Sequence, residues 1–155
     1  MKRNVKILLI SLAIPLVVGG LAALLSGGMD NYTGMNRPPL SPPGWLFPVV
    51  WTILYLLMGY ASYRVHESGS SRANIKRALI FYGIQLFLNF LWPLIFFGLQ
   101  WFWVAFGVLV VLWVLIYLTM FQFGQMDDTA ENLLLPYLLW VTFAGYLNLG
   151  VALLN

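Results

Sequence analysis

From Ala78 to Met126 the chain carries no Asp, Glu, Lys, Arg or His, and from Asn132 to Asn155 it carries none again. No water-soluble fold presents a surface from stretches of that kind. Only 8% of the whole sequence is charged while 61% is hydrophobic, against roughly 25% charged in an ordinary soluble domain. A hydrocarbon core about 30 Å thick is crossed by roughly 20 apolar residues in a helix. Inside it the backbone must satisfy its own hydrogen bonds, which a helix does. The chain therefore reads as an all-α integral membrane protein.

Hydropathy and turn punctuation divide the sequence into a five-transmembrane-helix bundle, one domain over 1–155, with helices at 5–26, 44–65, 73–97, 102–124 and 131–154. The N-terminal "MKRNVK" followed by an apolar run resembles a secretory signal. That run is long for a signal, so it is expected to be a retained span. Gly19, Ala23 and Gly27 recur at four-residue spacing on it, a small-residue face suited to close helix packing. In "QMDDTAEN", Asp128 or Thr129 is the expected cap of the fifth helix. Lys2, Arg3, Lys6, Arg64, Arg72, Lys76 and Arg77 fall on one side of the membrane and Arg37 alone on the other. The bias predicts a cytoplasmic N-terminus in a bacterial cell membrane. Basic residues so placed do not form a nucleic-acid footprint, and no nucleic-acid partner is expected. The odd number of helices leaves no inverted repeat of the kind many secondary transporters show.

Three helices carry a polar and aromatic stripe. Gln85, Asn89 and Trp92 lie at i, i+4 and i+7 on the third, with Pro93 next in line to kink it. Trp51, Tyr55, Gly59 and Ser62 share a face of the second. Tyr137, Trp140, Ala144 and Asn148, just after Pro136, share a face of the fifth. Amides in hydrocarbon must find partners, so these faces are expected to point into the bundle. Two readings stand side by side. The amides cross-link helices and the stripes are packing, or indoles and amides wall a cavity for a flat, apolar, aromatic ligand. If such a ligand bears carboxylates, Arg37 is a possible partner near the mouth. Trp45, Trp101 and Trp103, at helix starts, read as interfacial anchors.

The chemistry that is missing narrows the function. There is no cysteine and one histidine, His66, read as a solvated residue at a helix end. No metal site, carboxylate pair or nucleophile constellation is visible, and no ionisable residue sits mid-membrane to couple ions or protons. Binding remains, with any chemistry supplied by the ligand.

Three blocks carry a resemblance: "RPPLSPPGWLFPVVWTILYLLMGYASY", "QLFLNFLWPLIFFG" and "LLPYLLWVTFAGYLN". With them, between about Tyr32 and Asn148, the chain resembles the translocator protein family, also called tryptophan-rich sensory proteins or peripheral-type benzodiazepine receptors. The resemblance implies a five-helix bundle, commonly a homodimer, whose cavity is roofed by loop 28–43. It implies binding of protoporphyrin IX, related tetrapyrroles and the isoquinoline carboxamide PK11195, with no obligatory cofactor. It also implies light-dependent oxidative breakdown of protoporphyrin IX as an activity of some bacterial members, for which Trp51 and Trp140 are the photochemical candidates here.

Carried onto matching positions, the ligand site implied is Trp51, Asn89, Trp140 and Ala144, then Gln85, Tyr55, Trp92 and Pro39, with Trp51 and Asn89 donating to a ligand carbonyl. Three departures bear on that. Leu40 stands where many members have a loop tryptophan. No Lys or Arg follows Tyr146, which disfavours a sterol motif there. Gly83 is followed by Phe87, not a second small residue, at a dimer contact of some members. The alternative functions are a passive carrier of tetrapyrroles or similar amphiphiles, and a regulatory bundle acting through protein partners.

Overall fold

The computed structural model describes residues 4–27, 32 and 34–155. Lys2 and Arg3 of the charge bias, and residues 28–31 and 33 of the expected roof, lie outside them. The described residues form five helices long and apolar enough to cross a membrane. α1 is Val5–Leu25, α2 Leu46–His66, α3 Arg72–Pro93, α4 Phe102–Gly124 and α5 Asp128–Leu154. Around the bundle the order is α1, α2, α5, α4, α3 and back to α1.

Local chemistry sets the boundaries. Asn4 caps α1 by accepting from the Ile7 N–H at 3.2 Å, and Ser71 caps α3 by accepting from Asn74. The fifth helix starts at Asp128 and not at Glu131, because Asp127 is the cap in place of Asp128 or Thr129. Its carboxylate accepts the Ala130 N–H at 2.9 Å and pairs with Arg64 Nε at 3.1 Å. Asp128 and Glu131 thus both fall in the first turn, where negative charge is favourable. α2 starts at Leu46, two residues later than expected, after Pro42-Pro43-Gly44.

The third span does not simply kink at Pro93. Its α-helix ends there and continues as a wider π-turn, Leu94–Leu99, that closes at Gln100 in the left-handed conformation (φ 55°). Pro93 removes one donor from the ladder, and the chain answers by adding a residue to the turn. Both Phe96 and Phe97 are thereby buried.

α1 corrects a packing expectation. The residues it turns inward are Pro15, Gly19, Ala22 and Ser26, while Ala23 is exposed. Gly27 is not a packing residue at all: with φ 84° it ends the helix, a conformation that side chains with a Cβ resist. At Gly59 of α2 the backbone of α1 comes close: a Cβ would stand 2.6 Å from the Ser11 carbonyl oxygen and 3.0 Å from Leu12 Cα. Outward faces are greasy throughout, as in Leu9, Val17 and Leu24 on α1 and Val104, Val111 and Phe121 on α4. That is the surface a bilayer requires. Trp45, Trp101 and Trp103 are exposed at the helix starts.

Candidate functional site

The polar residues of three helices meet at the centre. Tyr55 of α2 donates to Asn89 Oδ1 at 2.9 Å, and Asn89 Nδ2 donates to Tyr137 Oη of α5 at 2.6 Å. Tyr137 in turn donates to Gln85 Oε1 at 2.7 Å, and Gln85 Nε2 donates to the Tyr82 carbonyl. One turn and more along, Trp92 Nε1 donates to Asn148 Oδ1 at 2.9 Å, and Asn148 Nδ2 to the Phe102 carbonyl. Gln85, Asn89, Trp92, Tyr137 and Asn148 are all buried. These amides therefore join α2, α3, α4 and α5, which is the cross-linking reading of the stripes.

Beside this ladder the aromatic residues leave room. A cavity of about 320 Å³ is walled by α1, α2 and α3: Gly19, Ala22 and Ser26, then Phe47, Trp51 and Tyr55, then Asn89, Trp92 and Phe97. Its volume sits at the lower end of the roughly 300–1,000 Å³ of small-molecule pockets. Exposed Ala23, Pro48 and Thr52 also border it, so its mouth is between α1 and α2, on the flank of the bundle. A second, inner void of about 20 Å³ lies deeper, bordered by Trp140, Ala144, Leu147 and Asn148 of α5 and by Tyr32 and Ser41 of the loop. Phe47, Trp51, Trp92 and Phe97 border both. Trp51 stacks on Tyr55 with ring centres 5.5 Å apart and meets Tyr137 edge-on at 6.2 Å. Phe47 meets Trp140 edge-on at 5.9 Å.

The sequence-derived residues divide accordingly. Trp51, Tyr55, Asn89 and Trp92 border the larger cavity, whereas Trp140 and Ala144 border only the inner void. Gln85 borders neither and serves the ladder. Asn89, expected to donate to a ligand carbonyl, holds Tyr55 and Tyr137 instead. Pro39 is exposed and accepts the Tyr146 hydroxyl at 2.6 Å. Arg37 lies over the Tyr32 ring at 4.5 Å, and among the described residues it pairs with no carboxylate. Of the expected roof, Tyr32 and Ser41 reach the inner void, and no described loop residue from 34 to 43 reaches the larger cavity. Phe47 and the α1 residues Gly19, Ala22 and Ser26 were not among the expected site residues. The small-residue spacing on α1 was visible, but it signals close packing and open space equally well. No cluster of metal-ligating side chains occurs among the described residues.

Comparison with known proteins shows the family. The family model described as TspO/MBR matches residues 11–154. The tryptophan-rich protein TspO of Chlorobaculum tepidum is 42% identical over 124 residues, 80% of this chain and 78% of that protein. The tryptophan-rich sensory protein of Cereibacter sphaeroides is 41% identical over 80% of this chain and 76% of its own length. The translocator protein of Bos taurus is 36% identical, over 78% and 72% respectively.

Proposed function

The chain belongs to the TspO/MBR family of membrane proteins, and on that premise we propose that it binds planar, largely apolar tetrapyrroles such as protoporphyrin IX, together with PK11195-like carboxamides. The observation that carries the reading is the aromatic-walled cavity on the flank of the bundle, with Trp51 and Tyr55 along one wall and Trp92 along another. A flat ligand stacks on indole and phenol faces there with water excluded. The cavity is smaller than a whole macrocycle needs, so the ring enters edge first from the bilayer side, and its remaining edge stays at the Ala23, Pro48 and Thr52 mouth. Arg37, free of a carboxylate partner among the described residues, is the candidate for a propionate that reaches the loop. A flank mouth also favours exchange of ligand with the membrane, and it keeps passive carriage as the second reading. We place the N-terminus on the cytoplasmic side and take the chain to act as a homodimer.

With protoporphyrin IX in place, light supplies excitation and dioxygen the oxidant, and Trp51 is the indole set against the ring. Purified protein is titrated with protoporphyrin IX in the dark and then illuminated. Saturable binding that raises the thermal midpoint is expected. Ligand absorbance is expected to decay faster than with Trp51→Phe plus Trp140→Phe. Binding without that difference leaves a receptor or carrier and removes the photochemical activity. Absence of saturable binding removes the proposal.

A further inference from the structure

α1 and α3 are the first and third crossings, so they run parallel and begin at the same face of the membrane. They pack side by side. A groove of about 300 Å³ lies between them on the outside of the bundle, lined by Val18 and Leu21 of α1 and by Gly83, Phe87 and Phe90 of α3. It shares no residue with the cavity described above. Gly83 makes the notch, since a Cβ there would meet nothing within 4 Å. Arg72, Lys76, Gly83, Phe87 and Phe90 fall at i, i+4, i+11, i+15 and i+18, one continuous face of α3. That face is basic where the helix begins and apolar beyond. Arg72 and Lys76 are exposed, as is Lys6 in the first turn of α1. Among the described residues none of the three pairs with a carboxylate. Neither helix has an acidic residue in its first turn. The positive end of each helix dipole is thus met by more positive charge, which is unfavourable until an anion neutralises it.

We infer that this face binds one anionic phospholipid: the phosphate sits on Arg72, Lys76 and Lys6, and one acyl chain lies in the groove at Gly83. The lengths agree. At about 1.5 Å per residue, Lys6 stands roughly 18 Å before Val18 and Arg72 roughly 16 Å before Gly83, so the basic ends are level. Gly83 and Phe87 lie roughly 10 and 16 Å beyond Lys76, and one leaflet of a core about 30 Å thick is about 15 Å deep. A zwitterionic lipid brings its own cation and gains less from the basic end. A second copy of this chain fits less well. Close approach of two helices needs small residues a turn apart, and the neighbours of Gly83 on this face are the exposed Ile80 and Phe87. A slim acyl chain enters a notch one residue wide. The site stands independently of tetrapyrrole binding.

The test uses the full chain in detergent, stripped of lipid and titrated with phosphatidylglycerol or phosphatidylcholine of matched chains. Native mass spectrometry reads the fraction of chains holding one lipid. Wild type is expected to prefer phosphatidylglycerol, and no preference overturns the inference. Lys76→Gln is expected to weaken phosphatidylglycerol about fivefold, the scale of one cation at an anionic membrane surface. Arg77→Gln removes the same charge from the adjacent position, about 100° away around the helix, and is expected to change nothing. Equal losses in the two variants leave only general attraction to surface charge and overturn the site. Gly83→Leu fills the groove and is expected to weaken both lipids several-fold, with the lipid-free thermal midpoint unchanged. Undiminished lipid there overturns the seat for the chain. Wild type that dimerises without lipid and turns monomeric in Gly83→Leu puts a second copy in the groove, which also overturns the inference. Should Gly83→Leu not fold, a phosphatidylglycerol with a diazirine midway along one chain decides in wild type. Label around Leu21 and Phe87 supports the site, and label spread over all five helices overturns it.

Discussion

Asn89 shows how a single side chain can be read correctly by position and differently by role. Its place at i+4 from Gln85, in the stretch of α3 after Arg77 that carries no charge, requires it to face inward, because a carboxamide facing lipid has no partner. Which partner it finds depends on where α2 and α5 put their tyrosines. It bonds both Tyr55 and Tyr137, so Asn89→Leu strands the buried Tyr55 hydroxyl and takes from Tyr137 one of its two hydrogen bonds. Each stranded group costs about 1–3 kcal/mol. The variant is expected to lose thermal stability in detergent, with ligand and without, by more than Gln85→Leu, which removes the acceptor of Tyr137 but leaves it bonded to Asn89. Equal midpoints for wild type and Asn89→Leu would show that the ladder is not a structural tie.

Among elements, α1 and α2 are joined by the absence of a side chain. At Gly59 the neighbouring atoms within reach of a Cβ are the Ser11 carbonyl oxygen and Leu12 Cα, both backbone, and Pro15 Cγ at 3.3 Å. Backbone does not move aside as a flexible side chain does, so Gly59→Val must push α1 away. A cost of roughly 1–3 kcal/mol is the usual scale for overpacking. Since α1 supplies one wall of the cavity, ligand affinity should fall together with the thermal midpoint. Gly20 faces open space and is the control: Gly20→Val leaves both unchanged. The π-turn after Pro93 is the other element-level device. In and beside it Trp92, Phe96 and Phe97 form one cluster, with Trp92 and Phe96 stacked at 5.0 Å and Phe96 and Phe97 edge-on at 4.8 Å.

For the whole molecule, the ring of helices is tied on its basic side by Arg64 and Asp127, which link the end of α2 to the start of α5. Partial burial pushes the Asp127 carboxyl up, but the hydrogen bond from Arg64 and the backbone N–H of Ala130 outweigh it and hold it below its ordinary range. A carboxylate depressed in the folded state contributes stability above its unfolded pKa of about 3.9, and that contribution is lost as pH falls through the lower folded value. Thermal unfolding is therefore expected to be insensitive to this pair from neutral pH down to about pH 4. Below that, wild type should lose stability more steeply than Asp127→Asn. Parallel curves would show that the pair carries nothing.

The spans, their number and the inward stripes of α2, α3 and α5 followed from sequence alone, because charge-free runs leave only a bilayer-crossing helix and amides leave only an interior face. The aromatic blocks around Trp51, Trp92 and Trp140 were legible for the same reason. What the order of helices around the ring decided was who meets whom: Asn89 with two tyrosines, Trp140 with Phe47, and α1 as a cavity wall. A stripe on one helix specifies a direction. It takes the packing of five helices to specify the atom at the other end of a hydrogen bond or the space left between rings.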